Sequence, residues 1–254
     1  MKKENKYILY TYLLFFVLFC ITGGALTIFG EGYIFGALQM LCSWAPTIVL
    51  VILFKQLVIN KNKKEFVKQL FSEKVNIPLL LGVIVSQITI FVIALYFVSI
   101  ILDCNMMDMV DLSLKNVLWG FLYNLFLGPM GENFGWKGYL FPVFVEKYGK
   151  RKAIILLGLV QAFWHFPLWL ASGYTGWSLV IYSVAFSLAL SAANIIMCIC
   201  YEKNHNLLMP IMVHQMFNFT VGCLYSGELL CMLSIISICY TIVAVIIWRL
   251  YEKK

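Results

Sequence analysis

The sequence predicts an all-α fold: a polytopic membrane protein with about eight transmembrane helices, forming a single integral membrane domain over residues 1–254. Three observations carry that expectation. The composition is 62% hydrophobic and only 12% charged, which leaves too little polar surface to cover a soluble domain. Apolar runs of about 20 residues recur along the chain, the length that crosses a hydrocarbon core of roughly 30 Å at about 1.5 Å per helical residue. Finally, the basic residues alternate with those runs in the manner of a membrane topology signal.

The first run, Ile8 to Phe29, follows Lys2, Lys3 and Lys6. It is read as a retained span because it is long and has no small-residue cleavage site before Tyr33. The second covers Tyr33 to Phe54. Between Lys55 and Asn76 lies a Lys-rich connection whose Phe66, Val67, Leu70 and Phe71 give it amphipathic character, as expected of a segment on the membrane surface. The third run covers Ile77 to Leu102, and Asp103, Asp108 and Asp111 follow it. A fourth, Leu112 to Met130, leads into a glycine-rich stretch, and the fifth covers Ala153 to Leu170. The last three cover Ser178 to Cys200, Leu207 to Leu224 and Leu229 to Leu250.

With these spans, 18 of the 19 Lys and Arg residues fall on one side, including Lys253 and Lys254 at the carboxyl end, and only Lys115 falls on the other. The positive-inside rule then places both termini in the cytoplasm of a multi-pass protein of the cell membrane. The net charge of +7 follows from this bias and from attraction to anionic membrane lipid, so nucleic acid is not needed as a partner. No repeat, low-complexity tract or soluble domain is visible. Of the eight cysteines, only Cys104 lies clearly in a loop, and no metal-ligand spacing occurs. They are read as small apolar packing residues.

The chemistry rests on a few polar residues in or beside the apolar runs. Glu132, His165, His214 and Asn218 at membrane depth each cost several kcal/mol unless they pair or line a wet cavity, which makes a functional site the default reading. In the segment Gly128-Pro-Met-Gly-Glu-Asn-Phe-Gly-Trp-Lys-Gly-Tyr-Leu-Phe-Pro142, glycine and proline loosen the helix around Glu132. Such breaks are tolerated only where the backbone is buried in protein or lines a cavity. A partly desolvated Glu there suits a general base. The structural alternative is a Glu at the interface that caps the following helix.

His165 lies in Gln161-Ala-Phe-Trp-His165-Phe-Pro167. Counting from a turn at Gly149, Glu132 is 17 residues back and His165 16 forward, so an antiparallel pair brings them to similar depth. This requires a kink at Gly128 to Gly135 or at Pro142. His214 and Asn218 are four apart, on one helical face, where both can contact a common oxygen. Such a donor pair can stabilise an oxyanion. A packed His165 and an Asn218 that merely cross-links helices are the plain alternatives.

Together, Glu132 with Gly135-Trp136-Lys137-Gly138-Tyr139-Leu140, then Trp164-His165-Phe166-Pro167, then His214-x-x-x-Asn218 resemble the CAAX-processing and bacteriocin-immunity (CPBP, or Abi) family of intramembrane proteases, which includes the prenyl-protein endopeptidases. The likeness covers roughly Gly120 to Cys223 within a protease-like core of about 112–224. By position, the resemblance implies that Glu132 activates water, that His165 assists it, and that His214 and Asn218 hold the carbonyl oxygen. No covalent intermediate is implied. The substrate would be a peptide or membrane protein cut near the cytoplasmic face.

The chain departs from the family's Glu-Glu-x-x-x-Arg motif, with Asn133 for the second Glu and Lys137 for the Arg, and Gln161 stands where an aromatic is usual. Asn133 and Lys137, four apart, are expected to contact each other as supporting residues. No cofactor is required by this reading. Zinc remains possible, with His165, His214 and Glu132 as its ligands, although no His-Glu-x-x-His motif is present. A catalytically weakened immunity or membrane partner of the same fold is one alternative function, favoured by the two substitutions. A small-molecule transporter is another.

Overall fold

The computed structural model describes residues 1–225 and 229–253; Lys254, counted above among the cytoplasmic lysines, lies outside them. Helix dominates, and among the described residues the only β pairing is two isolated bridges, Phe71 with Asn206 and Val110 with Leu224. Helix α1 (Lys3–Phe29) stops at Gly30, whose φ of 69° is a conformation that glycine adopts without strain. Helices α2 (Tyr33–Ser43) and α3 (Ala45–Ile52) form one broken rod bent by 60°. Pro46 sits in the first turn of α3, where its missing N–H costs nothing.

After α4 (Phe54–Leu57), the Lys-rich connection folds into α5 (Lys63–Leu70). Asn62 accepts from the Glu65 backbone N–H while the Glu65 carboxylate accepts from that of Asn62, a reciprocal cap. Phe66 and Leu70 are buried and Val67 and Phe71 exposed, as an amphipathic surface helix requires. Helix α6 (Ile77–Leu102) is capped by Asn76 and ends at Asp103.

Helices α7 (Leu114–Leu127) and α8 (Pro129–Asn133) follow, then a π-helical stretch over Phe134–Leu140 that runs into α9 (Phe141–Tyr148). Gly149, with φ of 76°, makes the turn into α10 (Lys150–Trp164), and α11 (Phe166–Leu170) continues past a break at His165. The chain closes with α12 (Gly176–Asn204), α13 (Leu208–Gly222) and α14 (Leu229–Glu252).

Four helices are long and apolar enough to cross a membrane, namely α1, α6, α12 and α14, or five if the bent α2 and α3 pair counts as one span. The sequence suggests eight. The difference lies in α7, α10 and α13, which have 14, 15 and 15 residues. At about 1.5 Å per residue, 15 residues reach only about 22 Å, well short of the bilayer core. Two of these predicted spans are shortened by the breaks at Gly128–Pro129 and His165–Pro167, the same breaks that build the candidate site.

Helix α12 is the most buried of the long helices, packed against α14, α10 and α13. It divides the interior into two apolar cores. One joins α6, α12, α13 and α14 around Ala94, Ala189, Met197, Val213 and Met232. The other joins α1, α3, α9 and α10 around Tyr7, Trp136, Leu140, Leu157 and Trp164. Buried amides tie the helices together: Gln87 Nε2 donates to the Val213 carbonyl at 2.9 Å and Tyr240 Oη at 3.0 Å, and Asn194 Nδ2 donates to Ile154 O at 2.8 Å. The outward faces are apolar, with Leu81, Val85, Ile88, Val92, Phe97 and Ile100 of α6 all exposed. A surface of that kind is solvated by lipid, and the molecule is a multi-pass membrane protein.

Candidate active site

Helix α7 ends because Pro129 has no N–H to continue the ladder, and Gly128 takes the turn at φ −137° and ψ −71°. The short α8 then presses against α3. Gly131 lies under the Trp44 indole, and a Cβ on Gly135 would sit 2.1 Å from Tyr7 Oη and 2.7 Å from Pro46 Cβ. These glycines are therefore sites of close helix contact as well as points of flexibility. The wide π-helical turns that follow bury Trp136, Lys137 and Tyr139 among the apolar side chains of α1, α3 and α10. Pi-helical segments concentrate at functional sites because they redirect side chains that a regular helix would aim elsewhere.

Glu132, His165 and Asn218 line one cavity of about 490 Å³ between the amino-terminal helices and the core. The rest of its wall is mostly apolar, including Phe15, Phe19, Leu26, Phe35, Trp164 and Phe186. His214 does not line that cavity, but it reaches its edge at Gly128. A Cβ placed on Gly128 would lie 2.8 Å from Asn218 Nδ2, 3.5 Å from Glu132 Oε1 and 3.9 Å from His214 Nε2. A carboxylate oxygen, an amide nitrogen and an imidazole nitrogen thus converge on the Gly128 backbone, where even one added carbon would crowd Asn218.

Glu132 is buried, and among the described residues its Oε2 has no hydrogen-bond partner. His165 Nδ1 lies 2.8 Å from the Gln161 carbonyl oxygen. A carbonyl can only accept, so Nδ1 carries a proton, and in the neutral ring the lone pair is then on Nε2. Trp164 and Phe186 pack edge-on and at a tilt against that ring, at 4.8 and 5.2 Å between centroids. The α9–α10 turn at Gly149 brings Glu132 and His165 to the same cavity, as the residue count from Gly149 anticipates.

The supporting residues pair differently from expectation. Asn133 and Lys137 share no hydrogen bond. Asn133 Nδ2 instead donates to Pro129 O at 2.8 Å and lies 3.1 Å from His214 Nδ1, while Lys137 Nζ donates to Gln161 Oε1 at 2.5 Å. Helical spacing allows the predicted contact, but each group finds a partner on a neighbouring helix. Lys137 is fully buried, and among the described residues no carboxylate forms a salt bridge with it.

Gln161 is the residue that sequence reasoning undervalued. Its carbonyl orients His165, its side-chain oxygen holds Lys137, and its Nε2 is buried without a hydrogen-bond partner, like Glu132 Oε2. Its signal was an amide in an apolar run one helical turn before His165. The contribution of α1 to α3 to the cavity wall had no comparable signal. The cysteines are all free, and Cys198 and Cys200 pack in the buried face of α12. Among the described residues no three His, Cys, Asp or Glu side chains are grouped as a metal site would require. Glu132, His165 and His214 are accordingly not grouped as a set of zinc ligands.

With the geometry in place, residues 114–220 match the family described as type II CAAX prenyl endopeptidase, Rce1-like. The resemblance read from the three motifs holds. The chain is also similar to "CAAX prenyl protease 2" of Methanococcus maripaludis, 26% identical over 222 residues that cover 82% of this chain and 78% of the relative. Both likenesses are to proteases, and the matched core spans α7 to α13, the helices that carry Glu132, His165, His214 and Asn218.

Proposed function

We propose that the chain is an intramembrane endopeptidase in which Glu132 activates water for attack on a peptide carbonyl. The observation that carries this reading is the convergence of Glu132 Oε1, Asn218 Nδ2 and His214 Nε2 on Gly128, at the wall of the cavity that Glu132, His165 and Asn218 line. Glu132 takes a proton as the water oxygen bonds to the carbonyl carbon, and the carbonyl electron pair moves onto oxygen. Asn218 and His214 donate to that oxygen as its charge develops. His165, with its Nε2 lone pair, accepts a hydrogen bond from the same water. Collapse breaks the C–N bond, and Glu132 returns the proton to the leaving amine. No covalent enzyme intermediate forms, and no metal is used.

The apolar cavity wall suits a substrate with an apolar group near the cleaved bond, and the relative's name points to prenylated CAAX tails as the class to test first. The Lys and Arg distribution supports eight membrane crossings, with both termini and the cleavage site toward the cytoplasm. The substitutions at 133 and 137 favour the alternative, a catalytically weakened immunity or membrane partner of the same fold, while the hydrogen bonds of Asn133 to His214 and of Lys137 to Gln161 support the enzyme reading. Cleavage of a membrane-anchored peptide with a prenylated tail, compared between wild type and Glu132→Ala in liposomes, tests the proposal. Cleavage by wild type alone is expected; equal rates would remove Glu132 from the chemistry.

A further inference from the structure

The two buried histidines face the cavity region through rings whose far nitrogens are held by different kinds of partner. His165 Nδ1 meets a carbonyl, as described. His214 Nδ1 meets the Asn133 side chain, and which atom of that amide it meets is fixed by a third group. Asn133 Nδ2 lies 2.8 Å from the carbonyl oxygen of Pro129, which accepts only. Turning the amide over would place Oδ1 against that carbonyl, two acceptors facing each other in a buried site where both would lose their partners. The NH₂ group therefore points at Pro129 O and also at His214 Nδ1, 3.1 Å away. A ring nitrogen that receives an N–H must carry a lone pair, so the proton of the neutral imidazole is on Nε2.

We propose that Asn133 is a positioning residue that holds His214 as its Nε2–H tautomer, opposite to the Nδ1–H tautomer of His165. One ring then offers a donor beside Gly128 and the other an acceptor in the adjoining cavity, from two side chains of the same chemistry. The catalytic meaning of this arrangement rests on the endopeptidase reading, because the donor is the one assigned there to the developing oxyanion. The tautomers themselves rest only on hydrogen-bond geometry. Among the described residues Asn133 Oδ1 is left buried and without a partner, the cost of holding the amide in this orientation.

The chain has only three histidines, His165, His205 and His214, so histidine ring nitrogens labelled isotopically in the full-length protein in bilayers give a resolvable magnetic resonance spectrum. Single His→Gln variants assign each pair of signals. The expected result is a protonated Nε2 and bare Nδ1 for His214, and the reverse for His165. Asn133→Asp presents an acceptor to Nδ1, and the His214 proton is expected to move to Nδ1 with the two nitrogen signals exchanging character. A protonated Nδ1 on His214 in the wild type overturns the proposal. So does an unchanged His214 in a folded Asn133→Asp protein. If that variant does not fold, the wild-type spectrum decides alone. No substrate is involved, so a chain that cleaves nothing still reports the tautomers, and failure of the endopeptidase reading stays separate from failure of this one.

Discussion

Replacing Gly128 with alanine tests the candidate site at the point where its groups converge. The added Cβ would lie 2.8 Å from Asn218 Nδ2, 3.5 Å from Glu132 Oε1 and 3.9 Å from His214 Nε2. An oxygen stabilised as an oxyanion needs its donors at about 2.7–3.1 Å, and the methyl group would push Asn218 Nδ2 out of its place beside Glu132 and His214. Loss of one such donor costs about 10²–10³-fold in kcat, equivalent to about 2.7–4 kcal/mol of transition-state stabilisation. The fold should survive, because the close contact is with the end of one side chain that borders a cavity into which it can turn. An overpacking cost of about 1–3 kcal/mol bounds the effect on stability. Initial cleavage rates of a membrane-anchored peptide, measured beside thermal unfolding in detergent, separate the two effects. A Gly128→Ala protein that melts somewhat lower yet cleaves at the wild-type rate would show that the carbonyl oxygen binds elsewhere.

Gly135→Ala should instead destabilise the fold by about 3 kcal/mol or more, since its Cβ would meet Tyr7 Oη at 2.1 Å and the Pro46 backbone carbon at 2.8 Å; an unchanged melting temperature would contradict that close packing. Lys137→Met and Gln161→Leu should each lower stability, and in a double-mutant cycle they should couple by about 1–3 kcal/mol because they share one buried charged hydrogen bond; strict additivity would mean the contact carries no energy. Exhaustive dialysis against a chelator should leave peptide cleavage unchanged, and loss of activity restored by zinc alone would replace the metal-free mechanism.

Much of the site was legible because buried polar residues are costly enough to stand out against an apolar sequence. Glu132, His165, His214 and Asn218 were each conspicuous in that sense, and helix arithmetic around Gly149 placed two of them at one depth. The partners of Asn133 and Lys137 were not legible, since spacing within a helix says which residues can meet, and neighbouring helices decide which do. Gln161 shows this most clearly: an amide one turn before His165 holds the lysine that looked destined for Asn133. The all-helical membrane fold followed from composition. The number of full-length spans did not, because a hydropathy run registers apolar residues and is blind to the proline and glycine breaks that cut α7 from α8 and α10 from α11.

Those short helices matter for more than topology. A hydrolase embedded in lipid must be supplied with its second reactant, and hydrocarbon excludes it. Elements of only 14 or 15 residues cannot match the full thickness of the surrounding bilayer without local thinning or a funnel of solvent above their ends. The breaks that end α7 at Gly128 and α10 at His165 both open onto the cavity that Glu132 lines, so water drawn in by such thinning would meet that cavity first.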